Sequence, residues 1–206
     1  MPDIDRILAA APVIPVLVID RVDEAVAIAE ALVAGGLPAI EVTLRTPAAL
    51  DAIRAIKSVP GAIVGAGTIL DPGQLDAALA AGAEFLVSPG LTERLGQAAK
   101  AADAAFRPGV SNATEVMRAL DLGFSRLKFF PAEAAGGMPV LRALSAVFGH
   151  VRFCPTGGIT PQSAQAWLDL KAVACVGGSW LAPTGEPVDR DTIQHRARAA
   201  ASLRAS

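Results

Sequence analysis

"VIPVLVIDRVDEAVAIAEALVAGG", residues 13–36, joins an apolar run to an amphipathic one without a pause. Val13 to Ile19 is dense in β-branched side chains and too short for a helix, so it reads as a strand buried on both faces. Beyond Asp20, the residues Val22, Ala25, Val26, Ala29, Leu32 and Val33 recur at helical spacing on one face, and Gly35-Gly36 stops the helix. A buried strand feeding a helix with one apolar face is the unit of a parallel sheet covered by helices.

The unit recurs to the end of the chain. Further strands are predicted at Ala39–Leu44, Ala62–Ala66, Glu84–Ser88, Ala104–Arg107, Arg126–Phe130, Val151–Cys154 and Ala172–Val176, each followed by a helical pattern. Thr46-Pro47, Asp71-Pro72 and Thr160-Pro161 each place a capping oxygen before a proline at the first helical position. Eight strand-helix units predict an α/β fold, a single (β/α)8 TIM barrel over residues 1–206, with no room for a second domain or a long lid. An open doubly wound sheet would need a glycine-rich phosphate turn after its first strand, and "VIDRVDEA" (18–25) has none. The apolar run Ile7 to Ile19 is broken by Pro12 and Pro15, is too short to span a bilayer and lacks a small-residue cleavage site. It reads as a short N-terminal helix leading into the first strand.

A hydrophobic content of 52% suffices for one sizeable core. Acidic and basic residues are scattered and the formal net charge is -2, so the basic stripe needed for nucleic acid or an anionic membrane is missing and the expected partner is a small molecule. Cys154 and Cys175 form no CxxC pair, and His150 and His195 are the only histidines, too few ligands for an ordinary zinc site. No metal and no cofactor are expected. The cysteines read as small core residues of a reduced, cytoplasmic protein.

In a barrel of this kind, chemistry is built at the C-terminal ends of the strands. Alternation in "AIEVTLRT" (39–46) turns Ile40, Val42 and Leu44 towards the helices and Glu41, Thr43 and Arg45 inward. An inward carboxylate in a closed barrel must be paired, hydrated or functional. Arg45, at the strand's mouth, serves either as the partner of Glu41 or as a fork for a substrate carboxylate. "GAGT" (65–68) leaves space and offers the Thr68 hydroxyl at the rim; Pro89 in "SPG" (88–90) either shapes the pocket wall or only starts the next helix.

Of the four lysines, Lys57 and Lys100 fall in last helical turns and Lys171 in a connection, where cations are at home. Lys128 does not. In "SRLKFFPAEAAGG" (125–137) alternation sends Leu127 and Phe129 towards the helices, and Lys128 and Phe130 into the interior. An ammonium buried there without a partner would have its pKa lowered, freeing an amine that attacks carbonyls; the alternative is a lysine that only pairs with Glu41 to fill the interior. "CPTGGITP" (154–161) and "CVGGSW" (175–180) place Gly157-Gly158 directly before a helix and Gly177-Gly178 beside the Ser179 hydroxyl, an anion site where such barrels hold phosphate. Together these residues suit Schiff-base chemistry on a phosphorylated keto acid, aldol cleavage above all. A phosphosugar isomerase or epimerase using Glu41 as base, and a non-catalytic phosphometabolite-binding protein, are the competing readings.

"VAGG", "IEVTLRT", "VGAGT", "SPGLTE", "LKFFPAE", "FCPTGGI" and "GGSWL" occur in this order between Ile14 and Leu181. In them the chain resembles the 2-keto-3-deoxy-6-phosphogluconate (KDPG) aldolases. The resemblance implies a Schiff base at Lys128, Glu41 as general acid/base acting through water, and Arg45 with Thr68 on the pyruvate carboxylate. It further implies Thr156 on a substrate hydroxyl, where stereoselectivity is set, phosphate on Gly157, Gly158 and Ser179, and a homotrimer. Relatives act on 4-hydroxy-2-oxoglutarate (KHG) or on the galactonate epimer. Two departures stand out: Ala135 replaces a frequent asparagine, and Arg107 replaces a usually apolar strand residue, where it narrows the floor, pairs with an interior carboxylate or turns to solvent.

Overall fold

The computed structural model describes residues 4–185 and 187–203. Helix α1 (Ile4–Ala9) leads into β1 (Val13–Leu17), α2 (Val22–Ala34), β2 (Ala39–Thr43), α3 (Ala49–Ile56), β3 (Ile63–Gly67), α4 (Pro72–Ala80) and β4 (Phe85–Val87). Then follow α5 (Glu93–Ala101), β5 (Phe106–Arg107), β6 (Gly109–Val110), α6 (Ala113–Asp121) and β7 (Arg126–Phe129). The chain continues through α7 (Gly137–Val147), β8 (Arg152–Pro155), α8 (Ala164–Leu168), β9 (Val176–Gly178) and α9 (Arg190–Ala201). All paired strands are parallel: one sheet of six runs β5-β4-β3-β2-β1-β9, and one of three runs β6-β7-β8.

The fifth strand, expected at Ala104–Arg107, covers Phe106–Arg107, and a further short strand, β6, follows Pro108, which has no N–H to donate. β5 pairs with β4 and β6 with β7, and the Pro108 carbonyl accepts the Lys128 N–H at 2.8 Å. Single bridges, Phe153 with Val173 and Thr156 with Gly177, join β8 to the segment leading into β9 and to β9 itself. The last strand lies at Val176–Gly178 rather than at the expected Ala172–Val176.

Alternation divides the apolar residues into two cores. Ile40, Val42, Leu127 and Phe129 belong to the large cluster that includes buried residues of the helices. Ile14, Ala39, Phe85, Val87, Cys154 and Cys175 make a separate inner cluster, which Ile7 and Leu8 of α1 join. The short N-terminal helix thus places its apolar side chains against the concave face of the sheet. Gly65 is required there, because a β-carbon would overlap the Phe85 ring.

The capping devices differ in outcome. Asp71 accepts from the Gln74 N–H with Pro72 at the first helical position, as expected. Thr46 instead donates its hydroxyl to the Ile19 carbonyl at 2.5 Å, and α3 starts only at Ala49. Thr160 accepts from the Ser163 N–H, but regular helix covers only Ala164–Leu168. Gly157-Gly158 therefore does not lie directly before a helix: residues 159–163 intervene. Among the described residues, no helix is long and apolar enough to cross a membrane.

Candidate active site

On the concave side, β2 carries Ala39, Glu41 and Thr43 in successive layers, with Ala39 in the inner cluster and Glu41 one layer above. Glu41 is 0% exposed, which no carboxylate tolerates without partners. It has two. Lys128 Nζ, on β7, donates to Oε1 at 3.3 Å, and Arg107 Nη2, on β5, donates to Oε2 at 3.0 Å. That strands three places apart in one sheet, and a strand of the other, meet at one carboxylate shows how strongly the six-stranded sheet is curled.

These contacts settle alternatives that the sequence left open. Arg107 pairs with the interior carboxylate. Arg45 does not: it lies exposed in the turn after β2, and among the described residues its guanidinium has no ion-pair partner. Lys128 is buried as expected but not alone, so the premise of an unpartnered ammonium is corrected by the Glu41 carboxylate and by the Phe130 ring, whose centroid lies 5.0 Å from Nζ. Pro89 does not start a helix, because α5 begins at Glu93 with Thr92 as its cap. Pro89 sits against Gly109, where a β-carbon would overlap its carbonyl.

The remaining predicted residues gather at the same strand ends. Thr43 and Gly67 are in register, which brings the half-buried Thr68 beside the turn that carries Arg45. Thr68 has φ 61, in the left-handed region that costs a β-branched residue about 1–3 kcal/mol. The bridge of Thr156 with Gly177 sets the two glycine pairs side by side, with Ser179 exposed at the edge. Gly157 and Gly158 have φ of 102 and 82, and the carbonyls of Thr156 and Gly157 accept the Ala132 and Glu133 N–H groups. The loop after β7 thereby fixes the loop after β8. Ala135 in that first loop packs partly buried against the large core.

Two features escaped the sequence reading. Gly67 is one: a β-carbon there would overlap Glu41 Oε1. Gly67→Ala is expected to cost about 1–3 kcal/mol by overpacking, seen as a fall of roughly 2–10 °C in melting midpoint. The other is the placement of Cys154, a small core residue as expected, which lies in register with Lys128 and on the same face. Burial opposes its thiolate, but a hydrogen bond from the Cys175 thiol and the Arg107 charge bring its pKa down to about 7. Sharing that hydrogen bond, together with burial, holds the Cys175 thiol well above the ordinary range. Burial likewise works against the Arg107 charge, and the Cys154 and Glu41 charges outweigh it, so its pKa is raised. Among the described residues no group of three or more His, Cys, Asp or Glu side chains is placed to hold a metal ion.

Residues 4–195 match the family model described as "Aldolase: KDPG and KHG aldolase". The chain belongs to that family. It is 59% identical over 187 residues to the 2-dehydro-3-deoxy-phosphogluconate aldolase of Zymomonas mobilis, covering 91% of this chain and 90% of that one. The crystal structure of the Zymomonas mobilis ZM4 KDPG aldolase with 3-phosphoglycerate superposes with a TM-score of 0.96 at 56% identity, over 98% of this chain and 96% of that one. The KDPG aldolase of Legionella pneumophila, with pyruvate captured at low pH as a covalent carbinolamine, gives a TM-score of 0.95 at 44% identity, over 98% and 99% of the two chains.

Proposed function

We propose that this protein is a Schiff-base aldolase that cleaves 2-keto-3-deoxy-6-phosphogluconate reversibly to pyruvate and glyceraldehyde 3-phosphate, with 4-hydroxy-2-oxoglutarate as a side substrate. The observation that carries this reading is the buried pair of an amine and a carboxylate, Lys128 Nζ and Glu41 Oε1, 3.3 Å apart. The Lys128 lone pair adds to the C2 ketone, and the carbinolamine loses water to give an iminium. The pyruvate carbinolamine of the Legionella relative supports this step. Glu41 accepts the C4 hydroxyl proton, the C3–C4 bond breaks, and its electron pair forms the enamine as the aldehyde leaves. Protonation at C3 and hydrolysis by water release pyruvate and restore Lys128.

In this reading Arg45 and Thr68 hold the pyruvate carboxylate, Thr156 the substrate hydroxyl, and Gly157, Gly158 and Ser179 the phosphate, with Pro89 and Phe130 as walls. The neighbouring ends of β2 and β3, and of β8 and β9, support that division. The junctions at Pro108 and at the Thr156–Gly177 bridge support one closed (β/α)8 barrel and a single domain over the whole chain. A homotrimer in the cytoplasm completes the proposal. The gluconate substrate is preferred over its galactonate epimer on the strength of the Zymomonas relative at 59% identity.

Borohydride reduction under saturating pyruvate tests the chemistry. The expected result is a stable three-carbon acid adduct on Lys128, located by peptide mass spectrometry. An unchanged mass would overturn the Schiff-base reading. Pyruvate release from the two epimeric phospho-sugar acids and from 4-hydroxy-2-oxoglutarate then ranks the substrates.

A further inference from the structure

Glu41 has two cationic neighbours, one on each oxygen, and they differ in kind. The amine of Lys128 is a nucleophile only when uncharged. A guanidinium stays protonated throughout. Resting on the aldolase reading, we infer that Arg107 is the permanent counter-ion of Glu41, a positioning residue that keeps this buried carboxylate paired and aimed when Lys128 gives up its charge to attack the ketone.

The geometry supports a positioning role. Arg107 takes Oε2 and leaves Oε1 for Lys128, so the carboxylate cannot turn without breaking both contacts. Gly67 closes the space behind Oε1. Stability alone does not explain Arg107. It is 1% exposed, and among the described residues its Nε and Nη1 find no hydrogen-bond partner, a costly arrangement for a buried guanidinium. What the arrangement provides is a fixed positive charge beneath the base, with no proton to lose at neutral pH. Without it, the neutral amine that attacks the ketone would leave a buried carboxylate with no opposite charge and nothing to hold its second oxygen.

The test separates imine formation from proton transfer. In Arg107→Leu, borohydride trapping of pyruvate is expected to stay within about threefold of the parent. Deuterium exchange into the pyruvate methyl group, followed by NMR in heavy water, and cleavage should both fall by about 10–100-fold. Arg107→Lys should recover a large part of both. Should the leucine variant not fold, Arg107→Gln, which keeps polar reach without charge, is expected to lose at least about fivefold in exchange. Unchanged exchange in a folded leucine or glutamine variant would overturn the inference, as would trapping that falls in step with exchange. Crystal structures of parent and variant decide the grip independently of activity: Glu41 should move in the variant, and an unmoved carboxylate would also overturn it. A parent enzyme that traps no pyruvate would instead defeat the aldolase reading, with the position of Glu41 still deciding whether Arg107 holds it.

Discussion

Lys128→Ala is expected to lower cleavage by about four orders of magnitude or more and to abolish borohydride-stable labelling by pyruvate. The lysine supplies the covalent path for the electrons of the breaking bond, and no other amine can take its place. Lys57 is bound to Glu84 at 3.3 Å, Lys100 ends helix α5, and Lys171 is exposed in a connection. Arg107 reaches the same carboxylate, but its guanidinium is protonated and does not add to ketones. The substitution should leave the protein folded, because Glu41 keeps Arg107 as a partner and only one contact of the pair of contacts is lost. Cleavage measured by coupled pyruvate detection, beside a thermal melt, separates lost chemistry from lost structure. Activity within about tenfold of the parent in a folded variant would overturn the assigned mechanism.

Much of the site was legible because strand alternation is a local rule. Glu41 and Lys128 are charged residues on faces whose neighbours two positions away are inward, and the structure puts both on the concave side of the sheets. What alternation does not contain is distance across the fold. It left Arg45, four residues from Glu41, as either its partner or a fork for substrate, and Arg107 with three alternatives, and only the structure brings Arg107, 66 positions away, onto the carboxylate. The role of Gly67 was hidden for the same reason, since a glycine in "GAGT" states that space exists but not whose carboxylate fills it. Helix starts failed where a tertiary contact outbid a local one: the Thr46 hydroxyl serves the Ile19 carbonyl of the preceding strand-helix connection, so its capping pattern was present and unused. The fifth strand was foreseen as ending at Arg107, but the two-residue strand beyond Pro108, which leaves β4's sheet to pair with β7, was not, because so short a run carries no alternation to read.

Glu41→Gln is expected to divide the reaction at its middle. Cleavage should fall by about 10²–10⁴-fold, the usual contribution of a positioned acid/base, while pyruvate still forms a trappable imine because the nucleophile is intact. The amide has nearly the shape of the carboxylate and fits the same space over Gly67. Its polarity does not fit. Both oxygens of Glu41 accept from cations, so one side of the glutamine must turn an N–H₂ group towards either Arg107 or Lys128. The more buried of the two, Arg107, would then stand without an opposite charge, a loss that for a buried pair amounts to about 3–5 kcal/mol. A lower melting midpoint should therefore accompany the lost activity, and cleavage has to be measured well below that midpoint. Two results would contradict the assignment. Cleavage within about threefold of the parent would show that Glu41 is not the base. Trapping that disappears together with cleavage would show that the carboxylate is needed to form the imine, and the division between a nucleophilic lysine and a separate proton carrier would have to be abandoned.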